Sequence, residues 1–131
     1  MRPELVYLAC TAMLTAALWI PYIVIQVSTN GPLKPVNYVD PTTPRPVSAG
    51  GRRAERVYMN AVETFAPFAA LVIVAQLAGK LNDTTAFLAA AYFWLRAAHA
   101  VVYWLGLPYI RTVVFTLGFL CVAGLFWQVV R

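Results

Sequence analysis

The stretch "ERVYMNAVETFAPF", residues 55–68, brings several strongly polar side chains to the start of an apolar segment. Arg56, Asn60, Glu63 and Pro67 are spaced four, three and four residues apart, so a helix places them on one stripe. An unpaired charge in hydrocarbon costs about 2.5–3.5 kcal/mol or more. The stripe therefore predicts that polar groups on neighbouring helices face it.

Composition favours a membrane protein. Of the 131 residues, 61% are hydrophobic and 11% are charged, whereas soluble domains carry about 25% charged residues. Apolar runs predict helices at about 5–27, 56–79, 84–106 and 108–130, each long enough to cross a bilayer. We therefore expect an all-α membrane protein, a four-transmembrane-helix bundle in a single domain of residues 1–131, with a Pro-rich loop at 28–51.

Charge and cysteine content narrow the possible partners. The net charge of +5 is spread among apolar segments without a basic-aromatic run, which argues against a nucleic-acid partner. Cys10 and Cys121, with a single histidine, have no metal-ligand spacing, so we expect buried packing residues and no metal site. Four spans place both termini on one side, and a small excess of basic residues on the loop side indicates a cytoplasmic loop with termini on the opposite side.

Two further sets of polar residues, one on the third helix and one on the fourth, are expected at the same membrane depth as the first stripe. Arg96, His99 and Tyr103 lie at positions i, i+3 and i+7 in the second half of the third helix. Arg111 and Thr112 lie in the first turn of the fourth helix. Glu63 neutralises only one of the three arginines, and the surplus positive charge suits a ligand with carboxylates. The alternative is a buried network that only fixes helix register.

At these residues the sequence resembles a known family. "ERVYMNAVE", residues 55–63, and "RAAHAVVYWLGLPYIRTVVFTLG", residues 96–118, are similar to motifs of the MAPEG superfamily, the membrane-associated proteins in eicosanoid and glutathione metabolism. The resemblance implies a homotrimer with glutathione between helices of adjacent protomers, on the cytoplasmic side. By motif position, the implied glutathione-binding residues are Arg56, Asn60, Glu63, His99, Tyr103 and Arg111.

The resemblance also implies an activity. We expect a glutathione-dependent transferase or peroxidase that acts on apolar small molecules or lipids drawn from the membrane, with Arg111 and Thr112 stabilising the thiolate. Met59, Ser28 and Phe115 depart from eicosanoid-making members, which indicates a bacterial-type member of an inner membrane with an unknown substrate. The alternatives are a non-catalytic lipid-binding protein and a structural membrane subunit of the same fold.

Overall fold

The computed structural model describes residues 2–30 and 48–131 of the chain, and these residues contain helices but no strands. Four segments are long and apolar enough to cross a membrane: Pro3–Ser28, Ala49–Leu77, Asp83–Trp104 and Pro108–Val130. The all-α, four-span architecture predicted from composition is thereby confirmed. Its helices are α1 Pro3–Ala17, α2 Trp19–Asn30, α3 Ala49–Leu77, α4 Asp83–Trp104 and α5 Pro108–Val130.

The first span is two helices and not the continuous helix predicted at 5–27. The regular helical pattern of backbone hydrogen bonds is interrupted at Leu18. Its N–H is shared between the carbonyls of Leu14 at 3.1 Å and Thr15 at 3.3 Å. Pro21 lies four residues after Ala17, and because proline has no N–H it cannot donate to the carbonyl of Ala17. The missing bond explains why α1 stops at Ala17 and α2 begins just beyond it.

The loop predicted at 28–51 is wrong at both ends, because α2 runs to Asn30 and α3 begins at Ala49. Ser48 caps α3, and its hydroxyl accepts a hydrogen bond from the N–H of Gly51 at 3.0 Å. A capping serine satisfies one of the free donors of a new helix. This cap offsets the low helix propensity of Gly50 and Gly51, which the predicted loop had included. The rest of the predicted loop, residues 31–47, lies outside the described residues.

Glycines end α3 and α4. Gly79 and Gly106 have φ angles of +68° and +74°, a left-handed conformation in which glycine is favoured. Just beyond them, the N–H of Lys80 reaches the carbonyl of Ala75 at 2.9 Å, and the N–H of Leu107 reaches that of Val102 at 3.3 Å. This closure is common at helix ends, and it makes α4 end two residues before the predicted position.

The core fills the space between α3, α4 and α5. Phe68, Val72, Tyr92, Cys121 and Leu125 are buried there, and the Phe68 and Tyr92 rings stack with centroids 4.1 Å apart. Cys121 thus packs as expected. Cys10 does not, because its neighbour Thr11 faces the interior and directs Cys10 to the outside of α1.

Side chains join the elements at the end of the bundle that holds both termini. Arg2 donates to the carbonyl of Asn82 at 3.3 Å, and the Lys80 ammonium donates to the carbonyl of Val129 at 2.9 Å. Glu4 is fully buried, and its Oε2 accepts hydrogen bonds from Arg2 at 2.8 Å and Thr85 at 2.7 Å. The polar stripes of α3 and α4 lie toward the opposite end.

Candidate ligand site between α3, α4 and α5

The polar stripes of α3 and α4 are joined by a direct hydrogen bond. Arg96 donates through Nη2 to Oδ1 of Asn60 at 2.7 Å, and Arg96 is only 6% exposed. The bond fixes the orientation of the Asn60 amide, since its oxygen is committed to the guanidinium. Glu63 forms no ion pair with any described residue and is exposed in the single chain, so the expected neutralisation of one arginine is absent here.

A cation and three aromatic rings link α4 to α5. The guanidinium carbon of Arg111 lies 4.8 Å from the centroid of the Tyr103 ring, within cation–π distance. The His99 ring is 5.7 Å from that of Tyr103 and 6.1 Å from that of Phe115. His99 is 4% exposed, and its Nδ1 has no hydrogen-bond partner among the described residues.

Three cavities follow one face of α3. The mouth cavity, of 260 Å³, begins at the N-terminus of α3 and is lined by Ala49, Arg52, Arg53, Arg56, Tyr103 and Arg111. The middle cavity, of 130 Å³, is lined by Arg56, Met59, Asn60, Glu63 and Tyr103. The deep cavity, of 190 Å³, continues from Glu63 past Pro67 to an almost wholly apolar wall that includes Phe115, Gly118 and Phe119.

Size and charge change along this row of cavities. Neither the mouth nor the middle cavity alone reaches the roughly 300–1,000 Å³ of small-molecule sites. They share Arg56 and Tyr103, and only together do they fall within that range. The walls are cationic at the helix ends and polar in the middle. They are apolar halfway down α3, so an acidic group and an apolar group find matching surroundings at different depths.

The predicted site residues are mostly brought together. Arg56, Asn60, Glu63 and Tyr103 line the middle cavity. Arg111 lines the mouth cavity, and His99 joins through its contact with Tyr103. Thr112 stands apart from these contacts: its side chain is exposed, and its hydroxyl lies 3.4 Å from the carbonyl of Pro108.

Two residues of the mouth cavity were missed as site residues. Arg52 and Arg53 entered the sequence argument only as charges of the loop. They precede Arg56 by four and three residues, so a helix extended backward from Arg56 places them on its face. That signal was present, but the predicted helix began at residue 56 and so left these two arginines out of it.

Comparison with known proteins gives one result. The model of the MAPEG family matches residues 5–131, which include both motifs and nearly the whole chain. No curated protein and no solved structure matches the chain at a significant level.

Proposed function

Because this chain belongs to the MAPEG family, we propose that it is a membrane-embedded glutathione-dependent transferase or peroxidase acting on apolar electrophiles. Its four spans and its family make it an integral membrane protein. Family membership supports a glutathione-related transferase or peroxidase function in general terms. The specific roles of the residues are our proposal.

The observation that carries the proposal is the adjoining pair of mouth and middle cavities, which carry arginines and one carboxylate. Glutathione has two carboxylates and one ammonium group. Arg56 offers a guanidinium fork, which suits a carboxylate, Arg111 offers a second positive charge, and Glu63 offers a partner for the ammonium. Asn60, Tyr103 and His99 complete the proposed binding residues around the peptide.

The proposed chemistry depends on the thiol. A free thiol has a pKa of about 8.5, and a nearby cation favours the thiolate, which is the nucleophile. Arg111 is held against Tyr103 and supplies that cation. The thiolate attacks an electrophilic carbon, a carbon–sulfur bond forms, and the leaving group departs with its electron pair. The deep cavity offers an apolar wall for the substrate. Thr112 is the second candidate to stabilise the thiolate, with less structural support than Arg111.

Exposed charge on α3 supports the proposed homotrimer. Arg56 and Glu63 are exposed in the single chain, and so are Met59 and Val62, which lie between them and are 45% and 42% exposed. Lipid does not solvate charged side chains, so this face needs cover. We propose that copies of the chain supply it, in a bacterial inner membrane with the end of the bundle that holds the N-terminus of α3 on the cytoplasmic side and the termini opposite.

The first test combines binding with turnover. We expect glutathione to stabilise the purified protein against thermal unfolding, and the protein to conjugate glutathione to an aryl halide. Arg111→Ala should lower kcat/KM by about 10²-fold, the typical effect of removing one charge-stabilising group. Arg131→Ala, which removes a like charge at the other end of the bundle, should leave turnover unchanged. Unaltered turnover in Arg111→Ala would refute the thiolate role.

A second candidate function is lipid binding without chemistry, which the apolar wall of the deep cavity favours. Stabilisation by lipid alone, without conjugation, would support this function. A response to neither ligand would indicate a structural membrane subunit.

A further inference from the structure

The mouth cavity concentrates positive charge without a matching acid. Arg52, Arg53, Arg56 and Arg111 line it, and none of the described residues that line it is Asp or Glu. Among the described residues the only ion pair joins Arg2 to Glu4, at the opposite end of the bundle. Glu55 lies in the same turns of α3 and forms no such pair. The guanidinium groups of this cavity therefore lack a counter-charge from the described part of the chain.

Hydrogen-bond donors at the cavity are also unsatisfied. Nε of Arg53 is buried and has no partner among the described residues. The Arg53 guanidinium group packs over Gly106, and its Nη1 lies 3.7 Å from the point that a Cβ would occupy at that glycine. Ser48 caps only the N–H of Gly51. The N–H groups of Ala49 and Gly50 have no partner within the helix, because they belong to its first turn. An acceptor with several oxygens would meet the free N–H groups of this first turn.

The depth of the cavity indicates which acceptors are near. α3 has 29 residues, so it is about 43 Å long, whereas the hydrocarbon core is about 30 Å thick. Part of α3 therefore lies outside the hydrocarbon, and the charged residues Arg52, Arg53 and Glu55 in its first two turns favour this end for the headgroup region. Phosphate groups are the principal anions at this depth of a bilayer and in the adjoining water.

Glutathione does not account for all four arginines. As the thiolate it carries two carboxylates, one thiolate and one ammonium group, a net charge of about −2, which Arg56 and Arg111 together balance. Arg52 and Arg53 are in excess of that requirement. We infer that Arg52 and Arg53, with the N-terminus of α3, form a second anion site that binds a phosphate group. A phosphate offers up to two charges and several acceptor oxygens to forked guanidinium donors. The group comes from an anionic lipid headgroup or from a free phosphate compound.

The test uses the full chain in nanodiscs and measures thermal stabilisation. One arm compares discs of phosphatidylcholine with discs that also contain phosphatidic acid. The other arm adds inorganic phosphate to phosphatidylcholine discs, with chloride at equal ionic strength as the reference, because salt screens non-specific attraction. The test variant is a double variant that combines Arg52→Gln with Arg53→Gln. The control is Arg131→Gln, which removes one positive charge at the other end of the bundle. Arg53→Lys keeps the charge if the double variant does not fold.

Wild type and Arg131→Gln should respond to phosphate, and the double variant should need about tenfold more ligand, as expected for lost charge-assisted contacts. A response only to phosphatidic acid assigns the site to a lipid headgroup, and a response to inorganic phosphate assigns it to a free compound. Equal responses in all variants, or equal effects of chloride, would overturn the inference. So would an equal loss of glutathione affinity in the double variant, because the two arginines would then belong to the glutathione site.

Discussion

At the scale of single residues, Tyr103 holds the candidate site together. Tyr103 lines both the mouth and the middle cavity, and its ring contacts the Arg111 guanidinium and the His99 ring. An arginine side chain has many rotamers, and a ring beneath the guanidinium restricts them. Tyr103 therefore sets where the positive charge of Arg111 lies.

We expect Tyr103→Phe to keep kcat/KM for conjugation within about twofold, because the ring remains. Tyr103→Leu should lower it by roughly 2–30-fold, since a cation–π contact is worth about 0.5–2 kcal/mol. Steady-state conjugation kinetics would measure both. Tyr109→Leu is the control, because Tyr109 is 85% exposed near the same end of the bundle. An equal loss in Tyr103→Phe and Tyr103→Leu would show that the hydroxyl, and not the ring, matters.

At the same scale, the sequence predicted which side chains face each other but not how they pair. Helical spacing alone aligned Arg56, Asn60 and Glu63 on one side of α3. The structure pairs Arg96 with Asn60, while Glu63 is exposed. Pairing depends on side-chain reach and helix rotation to within an ångström or two, which periodicity does not specify.

At the scale of elements, a buried carboxylate fastens α1 to α4. Glu4 is fully buried and its Oε2 accepts from Thr85, while its Oε1 has no partner among the described residues. Thr85 also accepts from the backbone N–H of Asn82 at 2.7 Å, in the cap that begins α4. The Thr85 hydroxyl thus takes part both in the cap of α4 and in the hydrogen bond that joins α4 to α1.

Thr85→Val should destabilise the protein by about 1–3 kcal/mol, because it removes a hydrogen-bond donor from a buried carboxylate. The adjacent Thr84→Val provides a matched control, since Thr84 is exposed. Thermal unfolding in detergent, followed by circular dichroism, would compare the two variants. Similar melting temperatures for both would mean that the Glu4–Thr85 bond contributes little.

The helix ends show what sequence reasoning at this scale can predict. Apolar runs revealed the four spans because lipid requires helices of that length. The start of α3 was misplaced because a single Ser48 cap outweighs the glycines that follow. The break at Leu18 was missed as a boundary, because the apolar run continues through it from Leu5 to Val27.

At the scale of the whole molecule, the exposed charges of α3 bear on assembly. Arg56 and Glu63 lie on the surface of the single chain at a level where a lipid neighbour would leave them unsolvated. Packing of α3 against other copies would cover them and would enlarge the small middle cavity. The proposed glutathione site and the proposed homotrimer therefore depend on each other.

Native mass spectrometry after gentle extraction should show three copies of the chain. Val62→Trp should shift the population toward smaller species, because a bulky ring on the exposed face of α3 opposes close packing. Phe87→Trp is the control, as Phe87 is an aromatic residue 70% exposed on α4. A wild-type protein that stays monomeric with lipid present would contradict the assembly.

The hydrogen bonds made by Arg2, Glu4, Lys80 and Thr85 tie together the end of the bundle that holds both termini. The cavities open at the other end, beyond the reach of these bonds. Helices tied together at one end can spread at the far end by a small tilt, without separating along their length. This arrangement would let the proposed ligand enter from the headgroup region while the end with the termini stays closed.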